Sequence, residues 1–68
     1  VSRAPQLTAR EREVVTLYAS TGSAKIVAAQ LGIRPGTVKA HLSNARSRAG
    51  VDTTVQLVVL VVTGELRA

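Results

Sequence analysis

Lys39, Ser43 and Arg46 recur at intervals of four and three residues. On a helix that spacing places all three on one face. Two cations and a hydroxyl, with no nucleophile–base pair among them, make a surface of hydrogen-bond donors and positive charge. Such a surface suits phosphate oxygens and the acceptor edges of bases in a duplex groove, and Lys39 suits guanine edges in particular. Thr37 lies just upstream, where the free backbone N–H groups of a first helical turn and a hydroxyl suit a phosphate. Arg34 occupies the cap position without an acceptor side chain. That forgoes about 1 kcal/mol of capping but sets a cation where a phosphate would lie.

Other chemistries are poorly supplied. His41 has neither a nucleophile nor an acid to work with. The chain has no paired carboxylates and no phosphate-cradling glycine loop. With no cysteine it has no disulfide framework and no thiolate zinc site. No catalytic residue, metal or cofactor is therefore expected. Tyr18 is the single aromatic residue, so stacking platforms for single strands or RNA bases are absent. The formal charge is +5, and its placement matters more than its size. No acid occurs between Val14 and Val51, where Lys25, Arg34, Lys39, Arg46 and Arg48 all lie. One sign of charge over the middle of a small domain points to a polyanion.

Sixty-eight residues make one domain with a small core, burying about 60% of its unfolded surface. Residues 1–6 carry Pro5 and no apolar period, and read as a flexible arm or the end of a linker. Thr8 and Glu11 form a capping box that starts the first helix, with Leu7 as the outer half of a hydrophobic staple. Val14, Leu17, Tyr18 and Thr21 give its inward face, and it ends near Ser20 before Gly22. Ser23 caps a second helix running to Leu31, with Ile26 at its flank, and Gly32 stops it. Pro35 opens the third helix and Gly50 closes it. Val38, Leu42, Ala45 and Ala49 form its inward stripe. Arg48 reads as part of a solvated charged face.

Thr53 and Gln56 make a second capping box before Leu57-Val58-Val59-Leu60-Val61-Val62. Local propensity favours a strand there. A lone strand among helices would lack a pairing partner, so a fourth helix is expected. It is apolar all round and needs partners on more than one side. One side meets the first and third helices; the other is expected to form a homodimer face at Leu57, Val59 and Leu60. The apolar run is too short to span a bilayer and no signal peptide is visible, which points to a cytoplasmic chain. Val1, in place of an initiator, fits a fragment of a longer protein.

Leu7-Thr8-Ala9-Arg10-Glu11-Arg12-Glu13-Val14, then Gly36-Thr37-Val38-Lys39-Ala40-His41-Leu42, then Gly50-Val51 resembles the LuxR/GerE-type helix-turn-helix domain of bacterial transcription regulators. The resemblance covers residues 7–66. It implies an all-α, four-helix fold, with the third helix as recognition helix and the fourth as dimer helix. It implies sequence-specific binding of double-stranded DNA through the major groove, as a dimer. Base contacts would fall on Lys39, Ala40 and Ser43, and phosphate contacts on Ser23, Arg34, Thr37 and Arg46. Such domains usually follow an N-terminal sensor domain, which this chain does not show. Two departures stand out. Ala24-Lys25-Ile26-Val27 replaces the common Asn-Lys-Glu-Ile run, and Ala45, Arg46 and Ala49 stand where bulkier apolar residues are common. The Gly-Thr-Val-Lys run followed by Asn44-Ala45-Arg46-Ser47-Arg48 also resembles the promoter-reading module of sigma factors, which binds RNA polymerase as well. A protein-interaction adaptor using the fourth helix is the further alternative.

Overall fold

The computed structural model describes residues 7–64. Those residues form four helices and no strand. α1 (Ala9–Thr21) starts on the anticipated capping box. The Glu11 N–H donates to Thr8 Oγ1 at 3.1 Å, and the Thr8 N–H donates to Glu11 Oε1 at 2.9 Å. α2 (Ala24–Leu31) is capped by Ser23, whose Oγ accepts from the Ile26 N–H at 3.2 Å. Gly32 then turns the chain at φ 69°, a left-handed conformation that side chains with a Cβ resist. The next N–H, that of Ile33, donates back to the Ala28 carbonyl at 3.0 Å. α3 (Pro35–Ala49) has proline in its first turn, and no side chain caps it. Gly50, at φ 75°, ends it.

α4 (Thr54–Val62) settles the contest between strand propensity and context in favour of helix. Its capping box is complete: Thr53 Oγ1 accepts from the Gln56 N–H, and Gln56 Oε1 accepts from the Thr53 N–H. These local bonds fix the first turn, and burial of one face secures the rest. β-Branching costs a helix about half a kcal/mol per residue, about 3 kcal/mol over the six β-branched residues of α4; burying Leu57 and Val61 contributes about 1.5–3 kcal/mol each, enough to offset it.

α1 and α3 each touch all three other helices, whereas α2 and α4 do not touch one another. The core between them is built from Leu7, Val14, Val15, Val27, Ala28, Val38, Leu42, Ala45, Leu57 and Val61. Ala28 and Ala45, both buried, are small enough to let neighbouring backbones approach α3. The stripe expected on α3 is observed, with Val38, Leu42 and Ala45 buried and Ala49 packed against the core.

Two expectations need correction. The inward face of α1 is centred on Glu11, Val14 and Val15. Leu17 and Tyr18 are only partly buried and Thr21 is half-buried at the end. The buried arc follows from α1 packing against three helices, which draws in Val15 as well as Val14. The second correction concerns α4. Leu57 is fully buried and belongs to the core, so it is not available to an outer face. Val59 is exposed and Leu60 is half-buried at the margin; the outer surface is completed by Val55 and Val62. Leu57 and Val61, one turn apart, face inward, and the exposed valines take the opposite side. No helix among the described residues is long and apolar enough to cross a membrane.

Candidate nucleic-acid interface

α3 carries two surfaces. Its inward stripe docks on α1, α2 and α4, and this docking leaves the opposite side bare. Lys39, Ala40, Ser43, Asn44 and Ser47 are all exposed. At 100° per residue, Ser43 lies about 40° and Arg46 about 20° from Lys39 around the helix axis, with Ala40 about 100° away. Lys39, Ser43 and Arg46 therefore share one face, with Ala40 on its shoulder. Ala40 adds no bulk to that shoulder. The long side chains are cationic and the short ones are hydroxyl or methyl, so another surface can approach the helix closely.

At the start of α3, Arg34 and Thr37 are exposed beside the first turn. The Thr37 and Val38 N–H groups both donate to the Arg34 carbonyl, at 2.9 and 3.2 Å. Ser23 is half-buried and its Oγ is engaged as the cap of α2. A hydroxyl still has capacity beyond one accepted bond, but this one is held in place by the helix it starts. Lys25 and Ile26, on the first turn of α2, are exposed.

The two arginines in the last turn of α3 take different roles. Arg46 lies about 40° from Leu42 around the axis, at the border between the outer face and the core stripe. It is accordingly half-buried. Its Nη1 donates to Thr54 Oγ1, in the first turn of α4, at 2.8 Å. Arg48 lies about 180° from Lys39 and points the other way. Its Nε donates to Glu11 Oε1 at 3.1 Å, joining residues 37 apart. The reading of Arg48 as a solvated charge is thereby corrected: it secures the end of α3 to the start of α1. Both cations also suit the negative end of the α3 dipole.

Glu11 is the one buried charged side chain among the described residues, 4% exposed. Its Oε1 receives both the Thr8 N–H and Arg48 Nε. Burial by itself would raise its pKa. The bonds from Thr8 and the bond and charge of Arg48 outweigh burial, so the carboxyl is held below its ordinary value. The capping-box spacing revealed Glu11's bond to Thr8. Nothing in the spacing revealed Arg48, because a pairing across 37 residues leaves no periodic trace. Thr54 was missed for a similar reason: it meets Arg46 across the Gly50 turn.

No cluster of metal-ligating side chains occurs among the described residues. Arg10 pairs with Glu13 at 3.0 Å on the outer face of α1, where both are about half exposed; such a pair contributes little.

Known proteins share this chain's pattern. The family profile described as "Bacterial regulatory proteins, luxR family" matches residues 5–61. The spore germination protein GerE of Bacillus subtilis is 44% identical over 63 residues, covering 91% of this chain and 85% of GerE. The transcriptional regulatory protein UhpA of Escherichia coli is 40% identical over 55 residues, covering 81% of this chain. A probable transcriptional regulatory protein NarL of Mycobacterium tuberculosis is 44% identical over 48 residues, covering 71%. The chain spans only 28% of UhpA and 22% of NarL.

Proposed function

Since the chain belongs to the LuxR family of bacterial regulatory proteins, we propose that it docks α3 in the major groove of duplex DNA and reads sequence there. The family is one of DNA-binding regulatory domains rather than enzymes. The observation that carries the finer reading is the bare face of α3: Lys39, Ala40 and Ser43 are exposed on a helix whose other side is fixed in the core. In this reading Lys39 reaches base acceptors, with Ala40 and Ser43 allowing close approach. Arg34, Thr37, Arg46 and Ser23 lie against phosphates and set the register. Arg46 stands at the edge of the reading face, where a backbone contact is expected rather than a base contact.

A homodimer is the second part of the proposal. α4 leaves Val55, Val59 and Val62 exposed, at 73%, 51% and 70%. Three large apolar side chains on one short helix are better explained by a partner than by solvent. Two copies meeting through α4 would present two α3 helices to related half-sites. The cytoplasm, where bacterial DNA is met, is the compartment this function requires.

Selection of bound duplexes from a random pool tests both parts. A two-fold repeat supports the dimeric reader, whereas a single asymmetric hexamer favours a sigma-like module. Binding to the selected duplex should then weaken steeply with salt. The two cationic phosphate contacts per protomer, Arg34 and Arg46, give a log–log slope of about −1.8, and about −3.6 for a dimer. A slope near zero would refute groove docking.

A further inference from the structure

We propose that Thr54 is a positioning residue for DNA recognition: a hydroxyl on α4 that aims the Arg46 guanidinium of α3 at the phosphate backbone. The inference rests on the groove-docking reading above and adds to it a residue outside the reading helix. Arg46 Nη1 donates to Thr54 Oγ1 at 2.8 Å, in a half-buried setting. A guanidinium has five N–H donors and cannot be satisfied by one hydroxyl. The ion pairs among the described residues join Arg10 to Glu13 and Arg48 to Glu11, and neither includes Arg46. Thr54 is neutral, so it orients Arg46 without cancelling its charge. Glu11 does the opposite for Arg48: it neutralises the arginine that points away from Lys39.

The arrangement has a physical logic. A free arginine loses rotamer freedom when it grips a phosphate, and a side chain already held in place loses less. Arg46 lies at the border of the outer face, beside the buried Leu42, so its stem is also restrained on the core side. Thr54 is itself fixed, one residue after the Thr53 cap that starts α4. The bond therefore links the guanidinium to the helix that carries the exposed Val55, Val59 and Val62. Any partner that seats α4 also steadies Thr54, and with it Arg46.

The test uses the 68-residue chain and a duplex selected from a random pool. Thr54→Val keeps the branched shape and removes the acceptor. It should weaken binding about three- to tenfold, while Thr54→Ser, which keeps the hydroxyl, should bind within about twofold of the parent. Arg46→Ala should weaken binding and make the salt slope shallower by about 0.9 per protomer. Adding Thr54→Val to Arg46→Ala should then cost nothing further, because the residue being aimed is gone. Thermal unfolding of each variant establishes that the compared proteins are folded at the assay temperature. Equal losses from Thr54→Val with and without Arg46 would overturn the proposal, since they would show a packing effect. So would an unchanged affinity for Thr54→Val, or failure of the serine variant to restore binding. If the parent chain selects no duplex, the groove-docking reading itself fails, a result distinct from the Thr54 outcomes.

Discussion

Removing the charge at either end of the Glu11–Arg48 contact should show how much the seating of α3 depends on it. Arg48→Ala leaves a carboxylate that is 4% exposed with the Thr8 N–H and hydroxyl, and no cation, to face it. Breaking a fully buried pair costs about 3–5 kcal/mol, but the Arg48 side chain is 48% exposed. Water already screens that partner, so the expected loss is nearer 1–2 kcal/mol. A chain of this size has about 3–10 kcal/mol of total stability, and each kcal/mol shifts Tm by about 4–8 °C. Arg48→Ala should therefore lower Tm by about 5–15 °C. Glu11→Gln retains a capping-box side chain and removes the charge, which adds a pH signature. Glu11's folded pKa is depressed, so its contribution is fully present above its ordinary value of 4.5 and fades as pH falls through the lower folded value. The stability gap between parent and Glu11→Gln should be constant from pH 7 to about 5 and shrink below that. Urea unfolding at several pH values measures it. A gap that does not change with acid, or an Arg48→Ala variant within about 0.3 kcal/mol of the parent, would refute the electrostatic account.

Three further outcomes follow from the same geometry. Lys39→Ala should cost about 1–3 kcal/mol of binding to the selected duplex and relax preference at one position; unchanged affinity and preference in a competition assay would remove Lys39 from the reading face. Val55→Lys or Val59→Lys should leave the fold intact and shift the chain to monomer in sedimentation, with weaker binding to a two-fold site; a parent that is already monomeric at high concentration would end the dimer proposal. Leu57→Ala should cost about 2–5 kcal/mol and leave little folded protein at 37 °C by circular dichroism, because this leucine is wholly within the core.

The outline of the fold was legible because its punctuation is local. Capping boxes at Thr8/Glu11 and Thr53/Gln56, glycines after α1, α2 and α3, and Pro35 each act within a few residues, and each marks a boundary. The inward stripe of α3 was legible because one helix face has one period. What could not be read is what depends on two separated segments meeting. Leu57 and Val59 look alike in an unbroken apolar run, and only the position of α1 and α3 decides that the first is buried and the second exposed. Arg46 and Arg48 likewise differ in role through where Thr54 and Glu11 lie, not through their own spacing. Val15 was missed because packing against three helices widens the buried arc of α1 beyond the minimal stripe.

The contrast between the two ends of α3 has a consequence for its local opening. Its last turn is held by a glycine cap, by Arg46 to α4 and by Arg48 to α1. Its first turn has Pro35 but no side-chain acceptor, and Arg34, Gly36 and Thr37 are exposed. Amide protons near Leu42 and Ala45 should therefore exchange only in large-scale unfolding, while those of the first turn exchange through fraying that costs little. An anion settling on that turn would stand in for the side-chain cap it lacks, beside the Arg34 carbonyl that already takes the Thr37 and Val38 N–H groups, so protection in the first turn should rise on binding more than anywhere else along the helix. The part of α3 that opens most readily is thus the part that an oxyanion from outside would close.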